Sequence, residues 1–322
     1  MPKIAIAQLA PVFLDRDACL TVAVAAIEQA AGNGASLIVF PEAFITGYPA
    51  WIWRLRPGVD EAACASLHKK LVVQASSVAG DDLADLYNAA KTHAISVVCG
   101  LQERDTNGSQ TTLFNSVLCI DQHGVLQNNH RKLVPTNAER MIWGQGDGSG
   151  LKVVPTSSGN IGALICWENY MPLARYTLYA QGLQVYIAPT YDSGDMWINA
   201  MPFIAKESGC WVISANNAFQ AADLGADILC ATAANSSYPD PQEWVNPGDS
   251  VVIAPGGEIV AGPWRHEQGI FYADIDLSAV IGARRSLDVA GHYARPDLFK
   301  LDVSPNPNAI VTMHGEPRGG DC

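Results

Sequence analysis

The sequence predicts a single α/β domain, and three observations support this prediction. Residues 3–9 alternate like a first strand, residues 15–31 have helical apolar spacing, and residues 35–40 form a nearly continuous apolar strand. This strand–helix–strand start is typical of α/β proteins. The same alternation returns after an apolar run at residues 161–165. The chain has 322 residues, 48% of them hydrophobic, which is enough for one large core, and no repeat marks a second domain.

In the first half of the chain, predicted helices and strands alternate between turn residues. The first helix is apolar at Leu20 and Ile27, and Gly32-Asn33-Gly34 ends it. The strand after it stops at Pro41-Glu42. The other elements predicted here are helices 61–79 and 81–93, the second capped at residues 80–81, strands 95–101 and 113–120, and a hairpin turn at residues 121–124.

The second half repeats the pattern and ends in a polar tail. Pro172 suits the first turn of a helix, and Pro189 is predicted to stop a strand. Residues 219–248 are polar, rich in Gly, Pro and Asn, and poorly periodic, so we predict a surface loop. We expect the tail from Arg284 to wrap the surface or a neighbouring subunit. The remaining predicted elements are strands 161–165, 183–188, 210–214, 251–254, 258–260 and 270–275, and helices 173–181 and 196–208.

Composition excludes several classes of partner and location. A formal net charge of −12 argues against nucleic acid or an anionic membrane as a partner, although it also serves solubility. No run of about 18 apolar residues spans a membrane, and the chain starts on a strand rather than an export leader. We therefore expect a cytoplasmic protein whose eight cysteines are reduced thiols. No C-x-x-C pair or histidine cluster suggests a metal site.

Two polar side chains follow predicted buried strands directly. Glu42 comes after strand 35–40, and Cys166 comes after strand 161–165, where the chain turns into a helix. Sites in α/β sheets gather beyond such strand ends, and a nucleophile on a strand-to-helix turn is exposed beside helix amides. The alternatives are a core cysteine and a surface carboxylate. Lys132, by its local sequence alone, is predicted to be a solvated surface charge.

Bulky aromatic residues cluster near these positions. They either wall an apolar substrate pocket or pack in the core, and both interpretations stay open at this point. The residues that we predict to bind substrate are Tyr48, Trp53, Trp167 and Pro189, with Trp51, Met196 and Trp197 as further candidates for the pocket wall. The glycine-rich run at residues 143–150 lacks the ending of a phosphate-binding loop, so nucleotide binding is not predicted.

Several motifs in order give the chain a specific resemblance to a known family. They are Phe40-Pro41-Glu42-Ala43-Phe44, Gly47-Tyr48-Pro49, His130-Arg131-Lys132, Pro135-Thr136, Glu139-Arg140, Trp143-Gly144-Gln145-Gly146-Asp147-Gly148, Cys166-Trp167-Glu168 and Gly291-His292-Tyr293-Ala294-Arg295-Pro296-Asp297. With these motifs the chain resembles the nitrilase (carbon-nitrogen hydrolase) superfamily, and specifically its nitrile-hydrolysing branch. The resemblance runs from the first strand to about residue 302.

The resemblance implies a four-layer α-β-β-α sandwich, with residues 1–302 as the catalytic domain and residues 303–322 as a tail. It implies a homodimer or a higher homo-oligomer, and catalysis without metal or organic cofactor. The implied catalytic residues are Cys166 as nucleophile, Glu42 as acid and base, Lys132 as stabiliser of negative charge, and Glu139 as the group that holds Lys132. These residue types suit a nitrile, whose hydrolysis needs a thiolate, a proton carrier and water.

Rival activities within the superfamily use the same four residues. They are those of amidases, N-carbamoyl amino-acid hydrolases and cyanide-hydrolysing enzymes, and a non-enzymatic scaffold is an alternative of another class. Trp167 directly after Cys166 and the Glu139–Gly148 run favour a nitrile substrate. The aromatic residues suit aromatic or medium aliphatic nitriles, but they do not specify which one.

Overall fold

The computed structural model describes residues 1–233 and 236–308, and these form two stacked sheets. The strands are β1 Lys3–Gln8, β2 Leu37–Val39, β3 Ser96–Arg104, β4 Leu113–Ile120, β5 Leu126–Arg131, β6 Val154–Thr156, β7 Gly159–Ala163, β8 Val185–Thr190, β9 Trp211–Asn216, β10 Ala218–Gln220, β11 Trp244–Ile253, β12 Ile259–Arg265 and β13 Gly269–Asp274. The helices are α1 Arg16–Gly32, α2 Glu61–Gln74, α3 Ala84–Thr92, α4 Pro172–Tyr179, α5 Asp195–Ser208, α6 Gly225–Thr232 and α7 Ser278–Ser286.

The first sheet has the strand order β13-β1-β2-β3-β4-β5, and the second has the order β10-β11-β9-β8-β7-β6 with β12 beside β11. Within them, β1-β2-β3 and β7-β8-β9 are parallel, as crossover helices require. The three strands β3, β4 and β5 form an antiparallel meander, so β5 runs in the same direction as β3. The ends of β2, β5 and β7 can therefore carry the predicted site residues toward one region.

The sandwich has four layers because the central strands are apolar on both faces. In β1, Ile4 and Ile6 enter the cluster between the sheets, while Ala5 and Ala7 enter the cluster under the first helical layer. Helices α1 and α3 cover the first sheet, and α4 and α5 cover the second. The predicted α-β-β-α sandwich is confirmed.

Most predicted elements are present, with shifts at their ends. Helix α1 begins after Asp15, whose side chain accepts from the Ala18 amide at 3.0 Å. Helix α2 stops at Gln74 instead of residue 79, because Ser76 pairs with the backbone of β3. Helix α3 begins at Ala84, so the predicted cap at residues 80–81 was wrong; the Asp82 carboxylate instead accepts from the Ser77 amide.

Two predictions for the second half were wrong. Residues 219–248 are not one surface loop: they contain the end of β10, a short 3-10 turn, helix α6 and the start of β11. Leu224 and Ile228 of this segment are buried with Leu67 and Leu71 of α2, a contact that its weak periodicity did not reveal. Pro189 also does not end β8, which runs to Thr190.

Pro189 is tolerated within β8 because the neighbouring strand is shorter. Pairing with β7 reaches only Ile187, although pairing with β9 continues to Thr190. The missing proline N–H therefore faces no β7 partner.

The C-terminal tail is described only to residue 308, where the Asn308 amide donates to Asp147. Residues 309–322 of the predicted tail lie outside the described residues.

Candidate active site

The nucleophile candidate Cys166 lies on a strained turn after β7. Its backbone φ is +52°, in the left-handed region, and it opens a 3-10 turn at Cys166–Tyr170. Such a conformation costs about 1–3 kcal/mol in a non-glycine residue and persists where the surroundings hold it. Asn169 holds it here, because its side-chain amide donates to the carbonyls of Cys166 and Leu164 at 2.7 and 2.9 Å. The predicted strand-to-helix turn is present.

Glu42 reaches the site because its backbone approaches β3 very closely. A Cβ at Gly100 would lie 2.2 Å from the Pro41 carbonyl oxygen and 2.9 Å from the Glu42 Cα, so only glycine fits there. The Glu42 carboxyl is fully buried. It accepts from Asn115 Nδ2 at 2.7 Å and from the Tyr191 amide at 2.6 Å.

Lys132 is 1% exposed, which contradicts the local prediction of a solvated lysine. Its ammonium donates to Glu42 Oε1 and to Glu139 Oε2, each at 2.8 Å. Burial alone would lower the pKa of Lys132, but the Glu42 and Glu139 carboxylates outweigh it and raise that pKa well above its usual value. Lys132 therefore stays positively charged.

Glu139 is fixed from three sides. Its Oε2 accepts from the Thr136 amide at 2.7 Å as well as from Lys132, in a capping arrangement at the start of the turn Asn137–Met141. Its Oε1 accepts from the Tyr48 hydroxyl at 2.7 Å, and Tyr48 in turn accepts from Trp53 Nε1 at 3.1 Å. Tyr48 and Trp53 thus orient Glu139 in addition to lining the cavity.

A third buried carboxylate, that of Glu168, connects the end of β5, next to Lys132, to the turn that carries Cys166. Glu168 accepts from the amides of Ile165 and Leu133 at 2.6 and 2.7 Å. His130 Nε2 lies 3.0 Å from the same carboxylate. This contact joins the ends of β5 and β7, and so fixes the position of Lys132 relative to Cys166.

The electrostatic setting of Cys166 follows from these positions. Burial raises the pKa of the Cys166 thiol well above its usual value, and the Glu42 carboxylate adds to the increase. Lys132 and the Thr190 hydroxyl oppose it without cancelling it. Burial also raises the pKa of Glu42, and Lys132 partly offsets that effect. The resting thiol is thus protonated, and it lies in the field of a carboxyl group that keeps its proton to a higher pH than an ordinary glutamate.

Cys166 and Glu139 line a cavity of about 330 Å³, whereas Glu42 and Lys132 are buried behind them and are not among its lining residues. The lining residues are Tyr48, Ala50, Trp53, Arg54, Thr136, Glu139, Cys166, Trp167, Tyr191, Asp192, Ser193 and Val245. The cavity is large enough for a small organic molecule. Three of the four residues predicted to bind substrate, Tyr48, Trp53 and Trp167, lie on its wall. Pro189 is buried within β8 and is not among the lining residues.

The other candidates for the pocket wall lie elsewhere. Trp197 is buried under the second sheet and Met196 is exposed on α5. Trp51 is buried and borders a separate apolar cavity of about 290 Å³, which none of the four predicted catalytic residues lines. Sequence reasoning missed Asn115, Tyr191 and Asp192. Asn115 could have been noticed as a polar residue in the apolar strand β4.

Within residues 1–233 and 236–308, no group of three or more His, Cys, Asp or Glu side chains could hold a metal ion. None of the helices in this described part is long and apolar enough to cross a membrane.

Comparison with known proteins gives consistent results. The profile of the carbon-nitrogen hydrolase family matches residues 3–285. A nitrilase of Bradyrhizobium diazoefficiens is 42% identical over 296 residues, which are 90% of this chain and 88% of that protein. The bifunctional nitrilase/nitrile hydratase NIT4 of Oryza sativa subsp. japonica is 39% identical over 313 residues, 96% of this chain and 85% of that protein.

Among solved structures, an amidase from Nesterenkonia sp. has a TM-score of 0.64 at 21% identity, covering 88% of this chain and 94% of that chain. At this identity the likeness concerns the fold. In one structure of a variant of that amidase, acrylamide is attached to the active site cysteine.

Proposed function

Because the chain belongs to the carbon-nitrogen hydrolase family, we propose that it is a nitrilase that converts an organic nitrile to the carboxylic acid and ammonia. The observation that carries the choice of nitrile is the 42% and 39% identity to proteins named nitrilases over at least nine-tenths of the chain. The buried Glu42-Lys132-Glu139 array beside Cys166 supports it, since it supplies the groups that nitrile hydrolysis needs.

The first half of the reaction forms a covalent adduct. Cys166 Sγ attacks the nitrile carbon while its proton passes through Glu42 to the nitrile nitrogen, which gives a thioimidate. Transfer during attack suits a buried thiol whose pKa is raised. Lys132 and the backbone amide of Trp167 stabilise the negative charge that develops on the nitrogen.

The second half uses two waters. Glu42 takes a proton from the first water, whose hydroxyl adds to the thioimidate carbon, and passes that proton to the nitrogen, which becomes an amine. Glu42 then carries the proton of the new hydroxyl to the same nitrogen, so that ammonia leaves and the carbonyl of a thioester forms. The second water, again deprotonated by Glu42, releases the carboxylic acid and restores the thiol. Glu139 keeps Lys132 in position throughout, and Tyr48 keeps Glu139 in position.

The test is ammonia release from matched substrates with the same side group, such as benzonitrile and benzamide, with an N-carbamoyl amino acid and cyanide alongside. We expect kcat/KM to be highest for an organic nitrile, because the relatives of this protein are named nitrilases. Equal or faster turnover of the matched amide would favour the amidase alternative. Preference for the carbamoyl compound or for cyanide would favour the other two rivals.

We further propose a cytoplasmic protein with a catalytic domain at residues 1–302 that assembles as a homodimer or a higher homo-oligomer. The seven cysteines in the described part are free thiols, which suits a reducing compartment. Exposed apolar side chains at Leu173 on α4 and Phe203 on α5 suit a subunit contact. Size-exclusion chromatography with light scattering should give a mass of at least twice 34.4 kDa, and a monomer would contradict the assembly.

A further inference from the structure

Two cavities share a wall formed by Trp167. The catalytic cavity, of about 330 Å³, lies on one side. On the other side is a groove of about 510 Å³ whose walls include Val134, Arg140 and Met171. Trp167 and Thr136 line both spaces, and the Trp167 side chain is 50% exposed. Trp167 therefore borders both the space where a nitrile reacts and a larger space that a longer substrate could enter.

The position of this ring depends on a single side-chain hydrogen bond. Trp167 Nε1 donates to Asp192 Oδ2 at 2.7 Å. The ring also contacts Tyr170 edge-on, with the ring centroids 6.1 Å apart. This contact restrains the orientation of the indole only weakly, because the two rings can slide past each other. Because Trp167 follows Cys166 directly, its backbone is held by the strained turn, and the ring can move only by changing its side-chain torsions.

Asp192 is built as a rigid anchor for that bond. Its backbone amide donates to Thr190 Oγ1 at 2.8 Å, and its carbonyl accepts from Asn216 Nδ2 at 2.7 Å. Its Oδ1 accepts from the Ser193 amide at 2.9 Å. The Thr190 hydroxyl also lowers the pKa of the Cys166 thiol, so the backbone that carries Asp192 lies close to the nucleophile.

Within the described part of the chain, the carboxylate of Asp192 forms no ion pair that would give it a purely structural role. Among residues 1–233 and 236–308, no lysine, arginine or histidine lies within 4.0 Å of it, whereas Asp249 nearby pairs with Arg265. Asp192 is half-buried on the wall of the catalytic cavity, and its side-chain donors are the indole of Trp167 and the adjacent amide of Ser193. Its charge is therefore available to hold the ring.

We propose, resting on the nitrilase function above, that Asp192 is a positioning residue that limits substrate length. By holding Trp167 between the catalytic cavity and the outer groove, it confines the enzyme to short aliphatic and single-ring aromatic nitriles. Loss of the hydrogen bond frees the ring, joins the two spaces, and admits nitriles whose side group extends into the groove beside Val134 and Met171.

The experiment measures ammonia release from a homologous series of ω-phenylalkyl nitriles, from benzonitrile to members with five or six methylenes. The readout is the ratio of kcat/KM for the longest member to that for the shortest, taken within each variant so that a general loss of activity cancels. Asp192→Ala should raise this ratio about tenfold, the scale on which a hydrophobic pocket discriminates chain length. Trp167→Phe, which removes the indole N–H and keeps the backbone amide, should raise it as well.

Asp192→Asn is the intermediate variant, because its one acceptor oxygen must serve two donors, the indole N–H of Trp167 and the Ser193 amide, and its ratio should lie between those of the wild type and Asp192→Ala. An unchanged ratio in both Asp192→Ala and Trp167→Phe would overturn the inference, as would an Asn variant whose ratio exceeds that of the Ala variant. If the wild-type protein hydrolyses no member of the series, the nitrilase function fails, and the length limit fails with it. If it hydrolyses the short members, the function stands and the ratios alone decide.

Discussion

Cys166→Ala is expected to abolish nitrile hydrolysis, with kcat/KM falling by at least about 10⁴-fold, the scale of losing a covalent nucleophile. The fold should survive, because alanine keeps the Cβ and tolerates the backbone of Cys166 as well as cysteine does. Ammonia release measures the activity, and thermal unfolding by circular dichroism measures the stability.

A matched variant separates the loss of the nucleophile from the effect of removing any other cysteine thiol. Cys230 is exposed on α6 and does not line the catalytic cavity, so Cys230→Ala should keep wild-type kcat/KM. Mass spectrometry of the wild-type protein quenched during turnover should find the acyl group on Cys166. Activity retained in Cys166→Ala, or an acyl group on another residue, would remove Cys166 from the nucleophile role.

Glu42→Gln is expected to lower kcat by about 10²-fold or more, because the variant has no group to carry protons between Sγ, nitrogen and water. Glutamine has nearly the same size and still accepts one hydrogen bond. Its amide N–H₂ must, however, face a donor, either the Tyr191 amide or Lys132 and Asn115. Some loss of stability, about 1–3 kcal/mol, should accompany the loss of rate.

Glu103→Gln is the control for removing any buried carboxylate. Glu103 is 3% exposed and pairs with Arg131, away from the cavity lining, so this variant should lose stability but little activity.

The pH profile gives a second readout of the role of Glu42. Since burial raises the pKa of Glu42, wild-type kcat/KM should fall on the acid side at a pH above the usual glutamate range, as Glu42 becomes protonated in the free enzyme. A mild effect of Glu42→Gln, with the acid limb unchanged, would assign proton transfer to another group.

Local sequence patterns were sufficient for the central layers of the fold. In β1 the two-residue period assigned Ile4 and Ile6 to one face and Ala5 and Ala7 to the other, and the structure places them in two different clusters. The predicted bounds of α1 were also close, since the helix begins after Asp15 and ends within the Gly32-Asn33-Gly34 run that was predicted to stop it. Such signals are readable because they depend on neighbours in the chain.

Predictions failed where a distant partner decides the conformation. Helix α6 is stabilised because Ile228, together with Leu224 just before the helix, is buried against α2, more than 150 residues earlier, and its own eight residues are too few to predict that contact. Pro189 continues in β8 because β7 happens to be shorter. Neither fact is present in the local sequence, so propensity rules gave the wrong result.

For the site, local sequence was enough to identify the residue types and their place at strand ends: a carboxyl group after β2 and a thiol after β7. The resemblance to a family added Lys132 and Glu139. The burial of Lys132 between two carboxylates, and the hydrogen bond by which Asp192 holds the ring beside the nucleophile, are visible only in the folded chain. They depend on the stacking of the two sheets, because the hydrogen bonds between Glu42, Lys132 and Tyr191 join segments up to 149 residues apart.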